Sequence, residues 1–435
     1  TFLGYHTVMP LRADLQRAGL RWVVPEAQHA IVFADGRPAM VIHRRDRLDR
    51  TRLSVGRYSP ADADLLVTLL TRAAALKPAM AEFLTSAPSP AAAERYVAAI
   101  RRTYDGLPVL DRLGSRSAAA LIRESFATPE VRTFLLMLAH ELGGDITGAG
   151  GDIGFLGVVC GLIGDRAVPV GGMGSTVAAY QAIARRAGAV IQCGATVDRI
   201  IIAGGNAVGV ATEQGHEVAA KRLVASTLPR ERTLAMLGDS HRTPVGPGPA
   251  DTDVVKQHLV LAEPPGFTSA RGEPDVAQAV QVFFGWDDPR AVAERLSQIR
   301  LGALPAPGGA LLRPALADPS QSRTPACLLA VDSTFPDLTL LTNREREAVQ
   351  ASFASATVRR LRDYAPNITD SAVTRSLVAP LAPVPRQVVI NREGPTHYRA
   401  PGIGRLYLAG ADSHPGGGIH GACGWNAASA AIADI

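Results

Sequence analysis

The sequence predicts an α/β protein with two domains, and three observations carry that expectation. At 435 residues the chain is longer than one hydrophobic core usually organises. Its 47% hydrophobic content, 42 glycines and 31 prolines are those of a folded, loop-rich chain, neither disordered nor fibrous. Its texture changes along its length. Helical patterning dominates to about Gly164, short β-branched runs follow, and the chain closes with a strand, a glycine-dense turn and an alanine-rich helix.

Each element has a local reason. Ser59-Pro60-Ala61-Asp62 places an N-cap hydroxyl, a proline at the first helical position and an early carboxylate ahead of LLVTLLTRAAAL, so a helix is expected over Pro60 to Leu76. Thr128-Pro129-Glu130 repeats that logic before VRTFLLMLAHEL, and Asn343 is expected to cap a third helix running to about Asp363 and ended by Pro366. The apolar run from Ile153 to Gly164, IGFLGVVCGLIG, is too short to span a bilayer. It reads as buried core or as the wall of a lipophilic channel.

After Val168-Pro169-Val170 and GGMGS, the helix-like VAAYQAIARRA is stopped by Gly188. AVIQC, TVDRIIIA, AVGVATE and HEVAAKRLVAST, separated by turns at Gly204-Gly205-Asn206 and Gln214-Gly215, read as a strand feeding a small antiparallel meander. From about Arg230 to Thr396 the pattern is mixed α and β, with a proline-rich stretch from Leu304 to Pro325.

Composition narrows the function. The formal charge is +5, yet the longest basic cluster, His43-Arg44-Arg45-Asp46-Arg47, is interrupted by an acid, so no nucleic-acid footprint is present. Cys160, Cys193, Cys327 and Cys423 are widely spaced, without zinc or redox-disulfide spacing, and no metal site is expected. A cytoplasmic protein is the expectation, with a peripheral membrane contact left open and the oligomeric state unspecified.

The C-terminus carries the chemistry. In RLYLAGADSHPGGGIHGACGWNAASAAIAD, Gly416, Gly417, Gly418 and Gly421 remove every Cβ where a flat ring or a diphosphate would approach the backbone. A helix starting near Gly421 or Ala422 aims its free N–H groups and positive dipole end at that place.

These residues resemble a known family. The HPGGG-x-x-GA-x-G-x-NAA pattern in LYLAGADSHPGGGIHGACGWNAA is similar to the closing FAD motif of phytoene desaturase-like oxidoreductases, in particular the pyridine nucleotide-disulphide oxidoreductase domain-containing protein 2 type. VPVGGMGSTVAAYQAIARRAGAVIQCGATVDRIIIAGGNAVGV resembles a second family block, and HRRDRLDRT a weaker one. The resemblance implies FAD as cofactor, with the backbone of Val197 beside the adenine. It implies Gly410 and Asp412 near the diphosphate and ribityl part, and Gly417, Gly418, His420, Gly421 and Ala422 beside the ring. Asn426 is expected in the first turn of the final helix.

Each has a structural reading too: Val197 as strand core, Asp412 and Asn426 as helix caps, the glycines as turn formers. His420 is the catalytic candidate, because it and His414 sit in the loop where a proton would be shuttled. Cys423 reads as a flavin tether or, better, as a small residue at the helix start.

The implied fold is a glutathione reductase-like FAD/NAD(P)-binding domain, discontinuous over 164–230 and 396–435. A substrate domain is then made of 1–163, mostly helical, and 231–395. The family's opening strand, G-x-G-x-x-G turn and helix are missing from the sequence, as GAGGDIGFLG near Gly148 follows no strand. The chain is therefore read as an N-terminally truncated member. The expected activity is hydride transfer to flavin from a lipophilic, carotenoid- or isoprenoid-like substrate. A flavin amine oxidase, for which Trp425 is the only nearby aromatic, and a non-catalytic regulatory protein stand as alternatives.

Overall fold

The computed structural model describes residues 4–143, 146–238, 253–322, 328–336, 338, 341–378, 382–383 and 398–435. The expected N-caps organise the helical part. Ser59 Oγ accepts the Asp62 N–H at 3.1 Å, and the Pro60–Ala73 helix runs on into a tighter turn at Ala74–Leu76. The Asp62 carboxylate accepts from the Ala127 and Thr128 N–H groups at 2.9 and 3.0 Å, which ties this helix to the start of Pro129–Gly143. The Asn343–Leu361 helix is capped by Thr342, not by Asn343. Glu345, three residues on, returns the bond to Thr342 N–H and closes a capping box, which fixes the start one residue earlier.

The apolar run is helical and buried, with a wider π turn at Phe155–Val159 between Gly151–Gly154 and Cys160–Leu162. Two of its glycines serve packing: a Cβ at Gly157 would lie 2.8 Å from the Tyr96 hydroxyl, and one at Gly161 2.8 Å from Met80. It fills the core. Arg45 of HRRDRLDRT has a structural task, donating to the carbonyls of Cys160, Gly161 and Ile163 at 3.4, 3.2 and 3.0 Å and pairing with Asp165 at 2.7 Å. It closes the C-terminal end of that buried helix.

Besides the two-residue strand Trp22–Val23, which pairs antiparallel with Val168–Pro169, the mostly helical reading of the first segment omits two strands, Ala27–Ile31 and Met40–His43. Every residue in both is buried, so neither shows the alternation that marks a strand in sequence. They join an eight-stranded sheet ordered Val373–Val378, Asp253–Leu261, Leu328–Phe335, Gly309–Leu312, Gln281–Phe284, Ala27–Ile31, Met40–His43, with Ala382–Pro383 also against Asp253–Leu261. Gln281–Phe284 and Ala27–Ile31 are parallel; the other neighbours are antiparallel. Strands from both proposed substrate segments thus share one sheet.

The meander is present as Val197–Ala203, Asn206–Thr212 and Glu217–Ala219. AVIQC forms no strand: residues 189–193 lie in no ladder, and Val190 is 93% exposed. A β-branched run becomes a strand only where it has a partner. Val224–Ser226 and Leu406–Leu408 form a separate parallel pair. Ile200, Ala207, Leu234, Leu237, Ala400, Ile403 and Leu406 pack as one small core, so the meander rests against the segment that leads into the C-terminal turn.

Candidate functional site

The C-terminal turn springs from the parallel pair. Ala409 N–H donates to the Ser226 carbonyl at 2.8 Å, and a Cβ on Gly410 would lie 2.5 Å from the Thr227 carbonyl oxygen. Only glycine allows the two strand ends to run so close. Ser413 then folds the chain back, its Oγ donating to the Leu408 carbonyl at 2.9 Å. The final helix runs over Ala422–Ala433 with Gly421 as N-cap at φ 72.

Of the expected site residues, Gly410, Asp412, Gly417, Gly418, His420, Gly421, Ala422 and Asn426 all lie on this turn and helix. Val197 stands apart, at the start of the meander opposite Thr212. Asp412 Oδ2 accepts the Arg230 N–H at 2.7 Å, so it caps the Arg230–Ala235 helix, not the final one. Asn426 lies in the second turn of the final helix, not the first, and its Nδ2 donates to the Leu84 carbonyl at 2.8 Å. His414 Nε2 donates to the neighbouring Phe83 carbonyl at 3.0 Å. Together they satisfy the end of the Lys77–Thr85 helix and clamp it to the turn.

His420 is buried, and Nδ1 accepts the Ala422 N–H at 3.0 Å. The proton of the neutral ring is therefore on Nε2, facing the carbonyls of Gly416 and Gly417. Burial holds the imidazole neutral, its pKa pulled down to about 4, against those carbonyls, which favour the charged form. Cys423 Sγ faces the Ser413 and Gly416 carbonyls at 3.4 and 3.1 Å, and burial pushes its thiol pKa up, the behaviour of a packed residue.

Two aromatic side chains that the sequence reading did not single out cover the turn. A Cβ at Gly418 would lie 2.5 Å from the Tyr5 ring, and one at Gly421 2.5 Å from the Tyr180 hydroxyl. Tyr5 also meets His420 edge-on at 5.1 Å. The hydroxyls of Tyr5 and Tyr180 are both buried without a hydrogen-bond partner, as are Thr176 Oγ1 and Asn426 Oδ1. Three of these atoms are hydroxyls able to donate and the Asn426 oxygen only accepts, a mixed set that fits a flat group with carbonyl oxygens and an N–H on its edge, which is the chemistry of a flavin's pyrimidine end. Tyr5 lies more than 400 residues from the turn and Tyr180 about 240, so no motif links them.

Comparison with known proteins gives the family and the fold. The family described as flavin containing amine oxidoreductase matches residues 4–237, more than half of the chain. The chain is 25% identical over 296 residues to pyridine nucleotide-disulfide oxidoreductase domain-containing protein 2 of Mus musculus, covering 61% of this chain and 51% of that protein. The Rattus norvegicus counterpart is also 25% identical, over 311 residues, covering 64% of this chain and 53% of that one. The chain thus spans about half the length of the curated relatives it matches. Among solved structures, an oxidoreductase from Methanosarcina mazei aligns at 14% identity over 100% of this chain and 87% of that chain, with a TM-score of 0.55. A Pyrococcus furiosus protein aligns at 13% over 98% and 83%, with a TM-score of 0.51. Both share the fold.

Proposed function

The chain belongs to the flavin containing amine oxidoreductase family, and from that premise we propose that it is an FAD-dependent oxidoreductase whose flavin ring lies against the Gly416–Gly421 turn. The observation that carries the reading is the pair of buried, unpartnered phenols of Tyr5 and Tyr180 over glycines 418 and 421. When bound, FAD supplies the hydride acceptor. Gly417, Gly418, Gly421 and Ala422 give the ring backbone contact, Gly410 and Asp412 hold the strand ends by which the diphosphate would pass, and Val197 offers its backbone to the adenine. Asn426 and His414 fix the turn to the helical part. His420 braces the turn by accepting the Ala422 N–H at the helix start, in preference to shuttling protons.

The domain reading follows: FAD-binding segments 164–230 and 396–435, substrate segments 1–163 and 231–395. We further propose that FAD binding needs a βαβ unit carrying a glycine-rich diphosphate turn. Three features support this. Among the described residues the parallel pair has two strands, residues 189–193 lie in no ladder, and the final helix exposes Trp425 at 43% and Ile432 at 75%.

The C-terminal motif supports a phytoene desaturase-like oxidation of a lipophilic substrate. A second reading, closer to an amine oxidase, is favoured by the description of the matching family. Among the described residues no helix is long and apolar enough to cross a membrane, and a cytoplasmic location, with peripheral membrane contact for a lipophilic substrate, remains the proposal. Anaerobic reduction of the FAD-loaded enzyme by a carotenoid or isoprenoid panel and by a primary amine panel tests the two: bleaching of the flavin by one class alone selects it, and by neither rejects both.

A further inference from the structure

The helix that brings Tyr180 to the C-terminal turn starts from a backbone with little hold of its own. Gly171 and Gly172, between Val168–Pro169 and Met173–Arg186, both take left-handed conformations, at φ 79 and 81. Gly172 is the N-cap and has no side chain with which to close the helix start. Two local bonds tie the turn, Gly172 N–H to the Pro169 carbonyl at 3.0 Å and Ser175 N–H to the Gly172 carbonyl at 3.1 Å. A third comes from 147 residues away: Asp318 Oδ2 accepts the Gly171 N–H at 2.8 Å.

Asp318 is itself held on both oxygens. Its Oδ1 accepts from the Ser320 N–H and Oγ at 3.2 and 2.7 Å, its Oδ2 accepts from Gln321 Nε2 at 3.0 Å, and the residue is 5% exposed. Gln321 also donates to the Pro169 carbonyl at 3.4 Å, and its Oε1 would lie 3.5 Å from a Cβ on Gly172. Residues 318–321 thus clasp the glycine turn at Pro169, Gly171 and Gly172. They follow the strand Gly309–Leu312 and the turn Pro314–Leu316, so the clasp is built on the large sheet.

The far end of this helix face is the candidate site. Thr176 and Tyr180, four residues apart, share one side of the helix. The Tyr180 hydroxyl lies 2.5 Å from the place of a Cβ on Gly421, and it and Thr176 Oγ1 are buried without a partner. At 1.5 Å per residue Tyr180 is roughly 10 Å along the axis from Met173, so a tilt at the helix start displaces the phenol. Packing of Ala179 and Ile183 with Leu15 and Leu20 holds the middle of the helix by shape. The bond at Gly171 is directional and fixes its start.

We infer that Asp318 is a positioning residue: by holding Gly171 it sets how the helix presents the Tyr180 hydroxyl to the C-terminal turn. The inference rests on the flavin reading and deepens it, because it puts control of the ring's seat in the segment 231–395 proposed for the substrate.

Asp318→Asn tests it. The side chain keeps its size, but its NH2 faces either Gly171 or Ser320, so one backbone N–H loses its acceptor. With 3-fluorotyrosine at the 8 tyrosines of the 435-residue chain, Tyr180→Phe assigns the Tyr180 fluorine resonance. That resonance is expected to shift or split in Asp318→Asn, while those of Tyr58 and Tyr364, bonded to Pro38 and Asp287, stay in place. Lumiflavin, the ring without a diphosphate, is titrated in parallel. Asp318→Asn should weaken its binding about tenfold, the worth of one hydrogen bond, and should do nothing more once Tyr180→Phe is present. An unmoved Tyr180 resonance, or the same loss of lumiflavin affinity in the Tyr180→Phe background, would overturn the inference. Gln321→Leu removes the second hold alone and should move the resonance the same way by less; it decides the matter if Asp318→Asn does not fold, and no movement there counts equally against the inference. A moved resonance in chains that never bind lumiflavin would sink the flavin reading and leave the positioning role.

Discussion

His420 is buried and accepts the Ala422 N–H at the start of the final helix, and that sets what its loss should do. Its pKa is lowered in the fold, so between about pH 6.5 and 4 the unfolded chain binds more protons than the folded one, and stability falls as pH falls through that window. His420→Asn keeps an acceptor for the Ala422 N–H without titrating, and should remove part of that acid sensitivity, on the order of 2 kcal/mol at pH 5. Thermal melts from pH 7.5 to 5 check it; an unchanged pH dependence would mean that the ring is not buried as described. If His420 is a brace, His420→Ala leaves the anaerobic rate of flavin reduction in the FAD-loaded enzyme near wild type, and a fall of 10² or more would make it a proton-transfer group.

The glycines give a second prediction at this scale. Gly421→Val should destabilise by about 1–3 kcal/mol or more, because the new Cβ would fall on the Tyr180 hydroxyl and the residue sits at φ 72. Adding Tyr180→Ala should return part of the loss in urea melts, and no recovery would mean that backbone strain alone is responsible. The glycines were legible because missing side chains in a cluster are a local signal. Tyr5 and Tyr180 were not, since each reaches the turn from a distant part of the chain.

Among elements, the clamp between the final helix and Lys77–Thr85 is the testable unit. Asn426→Ala leaves the Leu84 carbonyl without its partner inside the protein, and should cost about 1–3 kcal/mol. Because the bond holds a helix end, amide exchange should rise first in residues 82–86 and in the 413–421 turn; protection unchanged in both would remove the clamp. The helices were readable from their caps because a cap is written in four adjacent residues, as Ser59-Pro60-Ala61-Asp62 shows. The strands Ala27–Ile31 and Met40–His43 were not, because a strand buried on both faces has no alternation. AVIQC failed in the opposite sense: its residues suit a strand, but a ladder depends on a partner that local sequence does not reveal. Asp412 shows the same limit, since the helix it caps starts 182 residues earlier.

At the scale of the whole molecule, the exposed face of the final helix should matter only to the assembled flavoprotein. Trp425→Glu and Ile432→Glu should each change the stability of the 435-residue chain by no more than about 0.5 kcal/mol, as surface substitutions do. In a chain joined to a βαβ unit with a G-x-G-x-x-G turn, both should lower FAD retention. The central claim, that the C-terminal glycine turn is a flavin seat, is tested most directly by flavin absorbance per mole of purified protein for that joined chain and for its Gly418→Val variant. The account predicts close to one FAD per joined chain, little in the 435-residue chain, and little in the variant. A joined chain that folds and purifies colourless, or a Gly418→Val variant that keeps its full complement of FAD, would contradict it.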